Sequence, residues 1–307
     1  MAYPMIMDDF VFIEEQGLRD GLQTVSTWIP TETKLRWVDG LLYAGVSTIQ
    51  LSSFVHPKWV PQMADAEALF TACHHKKGQF SGLVLNNKGV DRALSCGASH
   101  LSISYSASDT HSRKNTGMSK EEARISIQSS IIKASQHGMK VRAGVQCAFG
   151  CRYEGKVDPA TVIGDIEFFL ALPVDSLALA DSTGMGNPKA IHMMSREVMR
   201  ISGKKTLSLH LHNTENKGYA NVYAGLEAGV RHFDTAFGGL GGCPFIKNAS
   251  GNIATEDTVN MLHQMGMKTG IDVDKLVKVS LEVEKHIGVT LPGLFARIAV
   301  NREIQKL

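Results

Sequence analysis

Residues 140–211 read KVRAGVQCAFGCRYEGKVDPATVIGDIEFFLALPVDSLALADSTGMGNPKAIHMMSREVMRISGKKTLSLHL. Three short apolar or alternating runs, Lys140–Gln146, Ser176–Ala180 and Leu207–Leu211, are separated by two stretches with helical spacing, Pro159–Ala171 and Pro188–Ile201. Strands that alternate with helices through short connections pair in parallel, because each helix carries the chain back across one face of the sheet. The same unit repeats outward from this stretch. Toward the N-terminus the strand candidates are Phe10–Glu15, Ser47–Leu51, Ser81–Leu85 and His100–Ser104, and toward the C-terminus Val230–Thr235 follows a helical Gly218–Ala228. Helix candidates between the earlier strands are Thr31–Tyr43, Pro61–Cys73, Gly89–Ser95 and Lys120–His137.

Eight strand–helix repeats within 307 residues favour closure into an α/β (β/α)8 TIM barrel over an open sheet. Gly45, Gly97, Gly138 and Gly229 each precede a strand where the chain must turn back. Ser119 with Glu122 three residues later has the spacing of a capping box, whereas Thr31 has Lys34 at the equivalent place. Beyond the eighth strand, Thr255–Met265, Val273–Ile287 and Gly293–Ile304 have helical character. No linker or low-complexity tract divides the chain. The expectation is a single domain over 1–307, with the barrel at about 8–250 and a C-terminal helical extension at about 251–307.

Bulk properties narrow the function. Thirty-two Lys and Arg against 30 Asp and Glu leave a net charge of +2, which gives no field suited to nucleic acid. No apolar run reaches the roughly 20 residues that span a bilayer, and the N-terminus has no signal-peptide pattern, so no membrane partner is expected. The five cysteines are scattered and odd in number, consistent with a reducing, cytoplasmic setting; Cys147 and Cys151 lack the second pair that a zinc site would need and read as structural thiols.

Barrel enzymes place their chemistry just after the C-terminal ends of the strands. After the first strand comes Gly17-Leu18-Arg19-Asp20-Gly21-Leu22-Gln23, a guanidinium, a carboxylate and an amide on one glycine-flanked loop. An isolated Arg–Asp pair on a turn is most often a solvated surface feature, but this one stands at a strand end. In the seventh strand, alternation sends His210 and His212 to the same side, about 7 Å of rise apart, so both imidazoles can approach one ion. A lone histidine there would usually be a satisfied core residue; two at this spacing favour metal ligation. After the eighth strand, four glycines precede Cys243 within Phe237–Pro244, a backbone able to move as a lid and a thiol able to exchange protons. Asp181 follows the sixth strand, where it either meets substrate or caps the next turn.

Taken together these loops resemble the 3-hydroxy-3-methylglutaryl-CoA lyase family, a group of metal-dependent barrel lyases with an Arg-Asp-Gly motif. The likeness runs from about Glu15 to Lys275. It rests on RDGLQ (Arg19–Gln23), SFVHPKWVPQMAD (Ser53–Asp65), YEGK (Tyr153–Lys156), DSTGMGNP (Asp181–Pro188), HLHNT (His210–Thr214), GLGGCP (Gly239–Pro244) and ASGNIATED (Ala249–Asp257). The resemblance implies that Asp20, His210, His212 and Asn252 hold Mg²⁺ or Mn²⁺, that Arg19, Asp20, His210 and Cys243 are catalytic, and that the substrate is an acyl-CoA thioester. It places Gln23, Gln50, Ser53, Lys58, Asn86 and Asp181 about the substrate. Asn86–Gly89, Lys58 and Arg113–Asn115 lie in or after strand-end loops and are candidate coenzyme A contacts, although exposed lysines are usually solvated surface. A homodimer is the family expectation.

Three departures stand near the site. Where the family carries a glutamate at the end of the second strand, this chain has Gln50; Leu18 replaces a proline and Asn213 an aspartate. The first reading is cleavage of 3-hydroxy-3-methylglutaryl-CoA to acetyl-CoA and acetoacetate. Its rival is a related thioester such as citramalyl-CoA, giving pyruvate, with Gln50 and Asn213 as the rationale. A synthase of the isopropylmalate kind would usually carry a further domain, and an inactive metal- or CoA-binding barrel would not need to retain all six of Arg19, Asp20, His210, His212, Cys243 and Asn252.

Overall fold

The computed structural model of the chain describes residues 9–241 and 251–304, with side chains as far as 301. Eight parallel strands close on themselves in sequence order: β1 (Phe12–Glu15), β2 (Thr48–Ser53), β3 (Gln79–Val84), β4 (His100–Ser106), β5 (Lys140–Gln146), β6 (Ser176–Ala180), β7 (Thr206–His210) and β8 (His232–Thr235). Closure is made by β1 on β8, with Glu14 opposite Asp234 and Glu15 opposite Thr235. The (β/α)8 barrel is therefore the observed architecture, and β5 and β6 keep the boundaries that their alternation predicts. The other six strands move by one or two residues at one end or both.

Helices α1 (Thr31–Tyr43), α2 (Ala66–Cys73), α3 (Asn87–Ser95), α4 (Asp109–Thr116), α5 (Lys120–Gln136), α6 (Pro159–Leu170), α7 (Pro188–Ile201) and α8 (Gly218–Glu227) surround the sheet. Their apolar sides form one continuous core with the outer faces of the strands, from Trp37 and Leu41 of α1 to Val198 of α7 and Val222 of α8. Ser119 and Glu122 do form the capping box, each side chain bonding the other's backbone N–H. Gly45 turns α1 into β2 at φ +91°, where a Cβ would stand 2.3 Å from the Gly270 carbonyl oxygen. No helix among the described residues is long and apolar enough to cross a membrane.

Two elements differ from the sequence expectation. The segment Pro61–Cys73 is a 3-10 turn (Pro61–Met63) followed by α2, because Asp65 between them turns its carboxylate to Lys34 Nζ at 2.8 Å and Thr31 Oγ1 at 2.9 Å. Helix α4 was not expected at all. Its sequence, DTHSRKNT, buries only Ser112, so it has no apolar stripe to detect; Ser108 caps its start and Gly117, at φ +75°, ends it.

Residues 251–254 return to the barrel before the C-terminal helices begin. Asn252 bridges His212 and Ala254 bridges Ala236. Then α9 (Thr255–Gln264), α10 (Val273–Ile287) and α11 (Phe295–Ile304) follow, with α10 packed on α1.

Candidate metal centre at the barrel mouth

The loop after β1 is set by a buried carboxylate. Glu15 accepts from the backbone N–H of Gly17 at 2.7 Å and of Phe237 at 2.8 Å, and from Thr255 Oγ1 at 2.6 Å. Burial pushes its carboxyl up to about 7 against those three donors. Gly17–Gly21 then form one wide helical turn, in which the N–H groups of Arg19, Asp20 and Gly21 all reach the Gln16 carbonyl. Wide turns of this kind recur at functional sites. The turn presents Arg19 and Asp20 side by side at the mouth, each only partly exposed.

Arg19 is held on three sides. Its Nε donates to Gln50 Oε1, Nη1 to Asp20 Oδ1 and Nη2 to Gln16 Oε1 at 3.0 Å. Gln50 reaches it from a bulge in β2, where the register shifts between Gln50 and Ser52. The second oxygen of Asp20 faces the opposite way. Asp20 Oδ2 accepts from Asn252 Nδ2 at 2.7 Å and lies 3.8 Å from Nε2 of both His210 and His212. Burial alone would raise this carboxyl, but the Arg19 guanidinium and the two imidazoles hold it well below the ordinary carboxylate range.

His210 ends β7, and His212 sits two residues on in the bridge to Asn252; their Nε2 atoms are 3.1 Å apart. Burial, with His210 beside it, brings His212 down to about 4, so its imidazole is neutral at pH 7 with a lone pair free for ligation. One ligand-type atom from each of Asp20, His210 and His212 lies within 4.8 Å of the other two. Asn252 adds an orphan: its Oδ1 is buried without a partner while its Nδ2 is shared between Asp20 and the Leu240 carbonyl. An acceptor-rich cluster with a stranded amide oxygen fits a cation, which would use the carboxylate, both imidazoles and that oxygen together. Amide ligation goes through oxygen, so Asn252 would turn its amide to serve.

The remaining sequence candidates fall in different places. Gln23 donates to Asp20 Oδ1 at 3.0 Å, and Ser53 is buried at the end of β2. Asp181 accepts with both oxygens from the Gly186 N–H at 3.0 Å, so it shapes the turn after β6; burial pushes it up to about 6. Asn86 caps α3 through the Gly89 N–H, and Lys58 lies exposed in the loop after β2. Arg113 pairs with Asp109 on exposed α4, and Lys114 lies over the Tyr153 ring. Cys147 and Cys151 are fully buried. Cys243 lies outside the described residues, as does the rest of 242–250.

Sequence reasoning missed the groups beneath the site. Of Glu14, Ser81, Arg142 and Asp234, which lie beneath the mouth, Asp234 touches His210 and Ser81 touches Gln50, while Glu14 and Arg142 join those two. A signal was available: an arginine in the middle of the β5 run and an aspartate two residues after His232, on the same side of β8, are charges where a barrel interior is normally packed with branched apolar chains.

Fold and site together define a (β/α)8-barrel protein that gathers a carboxylate and two imidazoles at the C-terminal mouth in an arrangement able to hold a metal ion. More particularly, the chain belongs to the HMGL-like family, whose model matches residues 11–283. It is 36% identical over 284 residues to the hydroxymethylglutaryl-CoA lyase of Bacillus subtilis, covering 92% of this chain and 95% of that one. The mitochondrial hydroxymethylglutaryl-CoA lyase of Mus musculus is 38% identical over 269 residues, 87% of this chain and 83% of its own. A solved structure of an HMG-CoA lyase from Acinetobacter baumannii, in complex with coenzyme A and 3-methylmalate, superposes with a TM-score of 0.90 at 38% identity, covering 95% of this chain and 96% of that chain. Family membership over nearly the whole length makes the chain a carbon–carbon lyase of the HMG-CoA lyase kind.

Proposed function

We propose that this protein cleaves 3-hydroxy-3-methylglutaryl-CoA to acetyl-CoA and acetoacetate with a divalent cation, Mg²⁺ or Mn²⁺, held by Asp20, His210, His212 and Asn252. The observation that carries the reading is the convergence of Asp20 Oδ2 and the two imidazole Nε2 atoms at 3.1–3.8 Å in a chain of this family. A hard or borderline cation in such an oxygen and nitrogen set would acidify the substrate's 3-hydroxyl and fix the bond to be broken.

The reaction requires that the 3-hydroxyl lose its proton as the C2–C3 bond breaks. The C3 half then leaves as a ketone and the thioester half as an enolate, which takes a proton at C2. Two groups, His210 and Asp20, are assigned to receive the hydroxyl proton from their places in the family pattern. Arg19 holds Asp20 ionised, and the Asp234 carboxylate stands behind the His210 ring. Arg19, locked by Gln16, Gln50 and Asp20, supplies fixed positive charge for the oxygen on which negative charge develops, a role worth about 10²–10³-fold in rate. Cys243 is assigned the proton donor to C2 from its place after the eighth strand in the family pattern, worth about 10²–10⁴-fold.

Gln50 in place of an acidic side chain accepts from Arg19 and donates toward Ser81, so the arginine keeps its clamp without a second negative charge beside it. No contact of Gln50 favours the citramalyl-CoA alternative. Barrel and C-terminal helices are read as one domain, and the acting species as a homodimer. The test is turnover by EDTA-treated protein, with and without added Mg²⁺ or Mn²⁺, against a panel of 3-hydroxyacyl-CoA thioesters with the released oxo acid identified. Metal-dependent acetoacetate supports the reading; pyruvate, or no product from any thioester, overturns it.

A further inference from the structure

The interior beneath the mouth is charged, and its charges are joined. Arg142 of β5 donates through Nη1 to Asp234 Oδ1 at 2.8 Å and through Nη2 to Asp234 Oδ2 at 3.2 Å, and Nη1 is also 2.9 Å from Glu14 Oε2. Glu14 Oε1 accepts from Ser81 Oγ at 2.6 Å, Ser81 Oγ accepts from Gln50 Nε2 at 3.4 Å, and Gln50 Oε1 accepts from Arg19 Nε. On the other side, Asp234 Oδ2 lies 3.3 Å from His210 Nδ1. A continuous chain of polar contacts therefore leaves the mouth at Arg19, passes through the barrel and returns to the mouth at His210.

Stability gives no reason for this network. Two carboxylates and one guanidinium lie where a barrel would otherwise pack branched apolar side chains, and well-packed apolar replacements of buried ion pairs are often neutral or stabilising. The network also adjoins a cavity of about 440 Å³ at the N-terminal end of the barrel, walled in part by His100, Ser102 and His232. A function at the mouth accounts for it better.

We propose that Asp234, gripped by Arg142, which Glu14 holds from its other side, is a positioning residue that fixes His210 with its ring proton on Nδ1 and its Nε2 lone pair aimed at Asp20 and at a cation shared with it. This rests on the metal-centre reading above. A carboxylate gripped by a guanidinium fork has no proton to give and can only accept, so the ring must donate from Nδ1. The bare Nε2 is then the atom 3.8 Å from Asp20 Oδ2. Two parallel N–H contacts from Arg142 set the plane of the Asp234 carboxylate, which a point charge would not do. Partners of this kind fix tautomer and ring orientation in metal sites, and their loss typically weakens metal binding about 10–100-fold.

Asp234→Asn tests the proposal with little change of shape. Its amide can turn an N–H toward Nδ1, which forces the ring proton onto Nε2 and blocks that nitrogen as a ligand. In ¹⁵N spectra of histidine-labelled, metal-free protein, the wild type should show His210 protonated at Nδ1 and Asp234→Asn at Nε2. The variant should also bind Mn²⁺ about 10–100-fold more weakly and lose more in kcat than in KM. Arg142→Lys, which keeps the charge and removes the fork, should weaken Mn²⁺ binding by a smaller factor. An unchanged His210 tautomer in Asp234→Asn overturns the proposal whatever the Mn²⁺ affinity, and so does wild-type affinity in Arg142→Lys should Asp234→Asn not fold. The spectra are taken without metal and decide the positioning role on their own; a wild type that binds no Mn²⁺ overturns the metal-centre reading instead.

Discussion

Replacing Gly17 by alanine tests how rigidly the barrel holds its Arg–Asp turn. A Cβ at Gly17 would stand 2.6 Å from Phe237 Cε1 and 2.7 Å from Glu15 Oε1, where ordinary contact begins at 3.4 Å. Something must move by 3.4 − 2.6, about 0.8 Å. Phe237 is fully buried, and Glu15 is bonded to three groups, so the turn itself is the part that gives way. Asp20 lies three residues along that turn. Overpacking of this kind costs about 1–3 kcal/mol, which in a chain of this size lowers Tm by roughly 2–6 °C. A displacement near 1 Å at catalytic groups costs about 10²-fold. Gly17→Ala should therefore fold, melt a few degrees early and lose about 10²-fold in kcat/KM, measured by acetoacetate release with Mn²⁺ beside a thermal melt. Gly138→Ala is the control: with φ +73° and no atom within 4 Å of its Cβ, it should cost only about 1–2 kcal/mol of backbone strain and leave kcat/KM unchanged. Wild-type kcat/KM in Gly17→Ala would mean that the turn is free to rearrange and is not held by Glu15 and Phe237.

Other consequences follow from the same contacts. His212, brought down to about 4 in the folded state from an ordinary 6.5, binds fewer protons folded than unfolded between those values. It should thus destabilise the metal-free protein as pH falls from 6.5 toward 4; Glu15 and Glu256, pushed up to about 7, pull the other way as pH rises through 4.5 to 7. The difference in Tm between wild type and His212→Asn across pH 4–7 isolates the histidine, and a constant difference would contradict the assignment. Lys34, 1% exposed, bonds Asp65 and the Gln62 carbonyl, so Lys34→Met strands a buried carboxylate and should cost about 3–5 kcal/mol in urea unfolding. Adding Asp65→Asn should recover part of that loss. Cys243→Ser should lower kcat by about 10²–10⁴-fold with an unchanged melt, and a kcat within threefold of wild type would remove the thiol from the chemistry.

The barrel was legible because its signal is periodic. Eight apolar runs, each followed by a helical stretch, survive errors of one or two residues at their ends, and three of the helices, α1, α7 and α10, begin and end where their apolar spacing places them. Helix α4 was hidden because it buries almost nothing, and the break before α2 because it is made by Asp65 reaching Lys34, a contact between residues 31 positions apart. At the site, the seventh-strand pair His210 and His212 could be placed on one side by alternation alone. Asn252 could not, since its approach to Asp20 spans 232 positions and depends on residues 251–254 turning back to the barrel. Arg142, Glu14 and Asp234 each sit in a correctly placed strand, but sequence shows only that they face inward. That both carboxylates meet Arg142, and that Asp234 touches His210, is a property of barrel closure, which pairs β1 with β8 and sets Glu14 opposite Asp234.

The proposed chemistry needs four side chains to share one cation, and the decisive experiment is the anomalous map of a crystal grown with manganese. One strong peak should lie within about 2.0–2.3 Å of Asp20 Oδ2, His210 Nε2, His212 Nε2 and a turned Asn252 Oδ1. A map with no peak among these atoms at saturating Mn²⁺, or with the ion bound elsewhere while the protein turns over substrate, would contradict it.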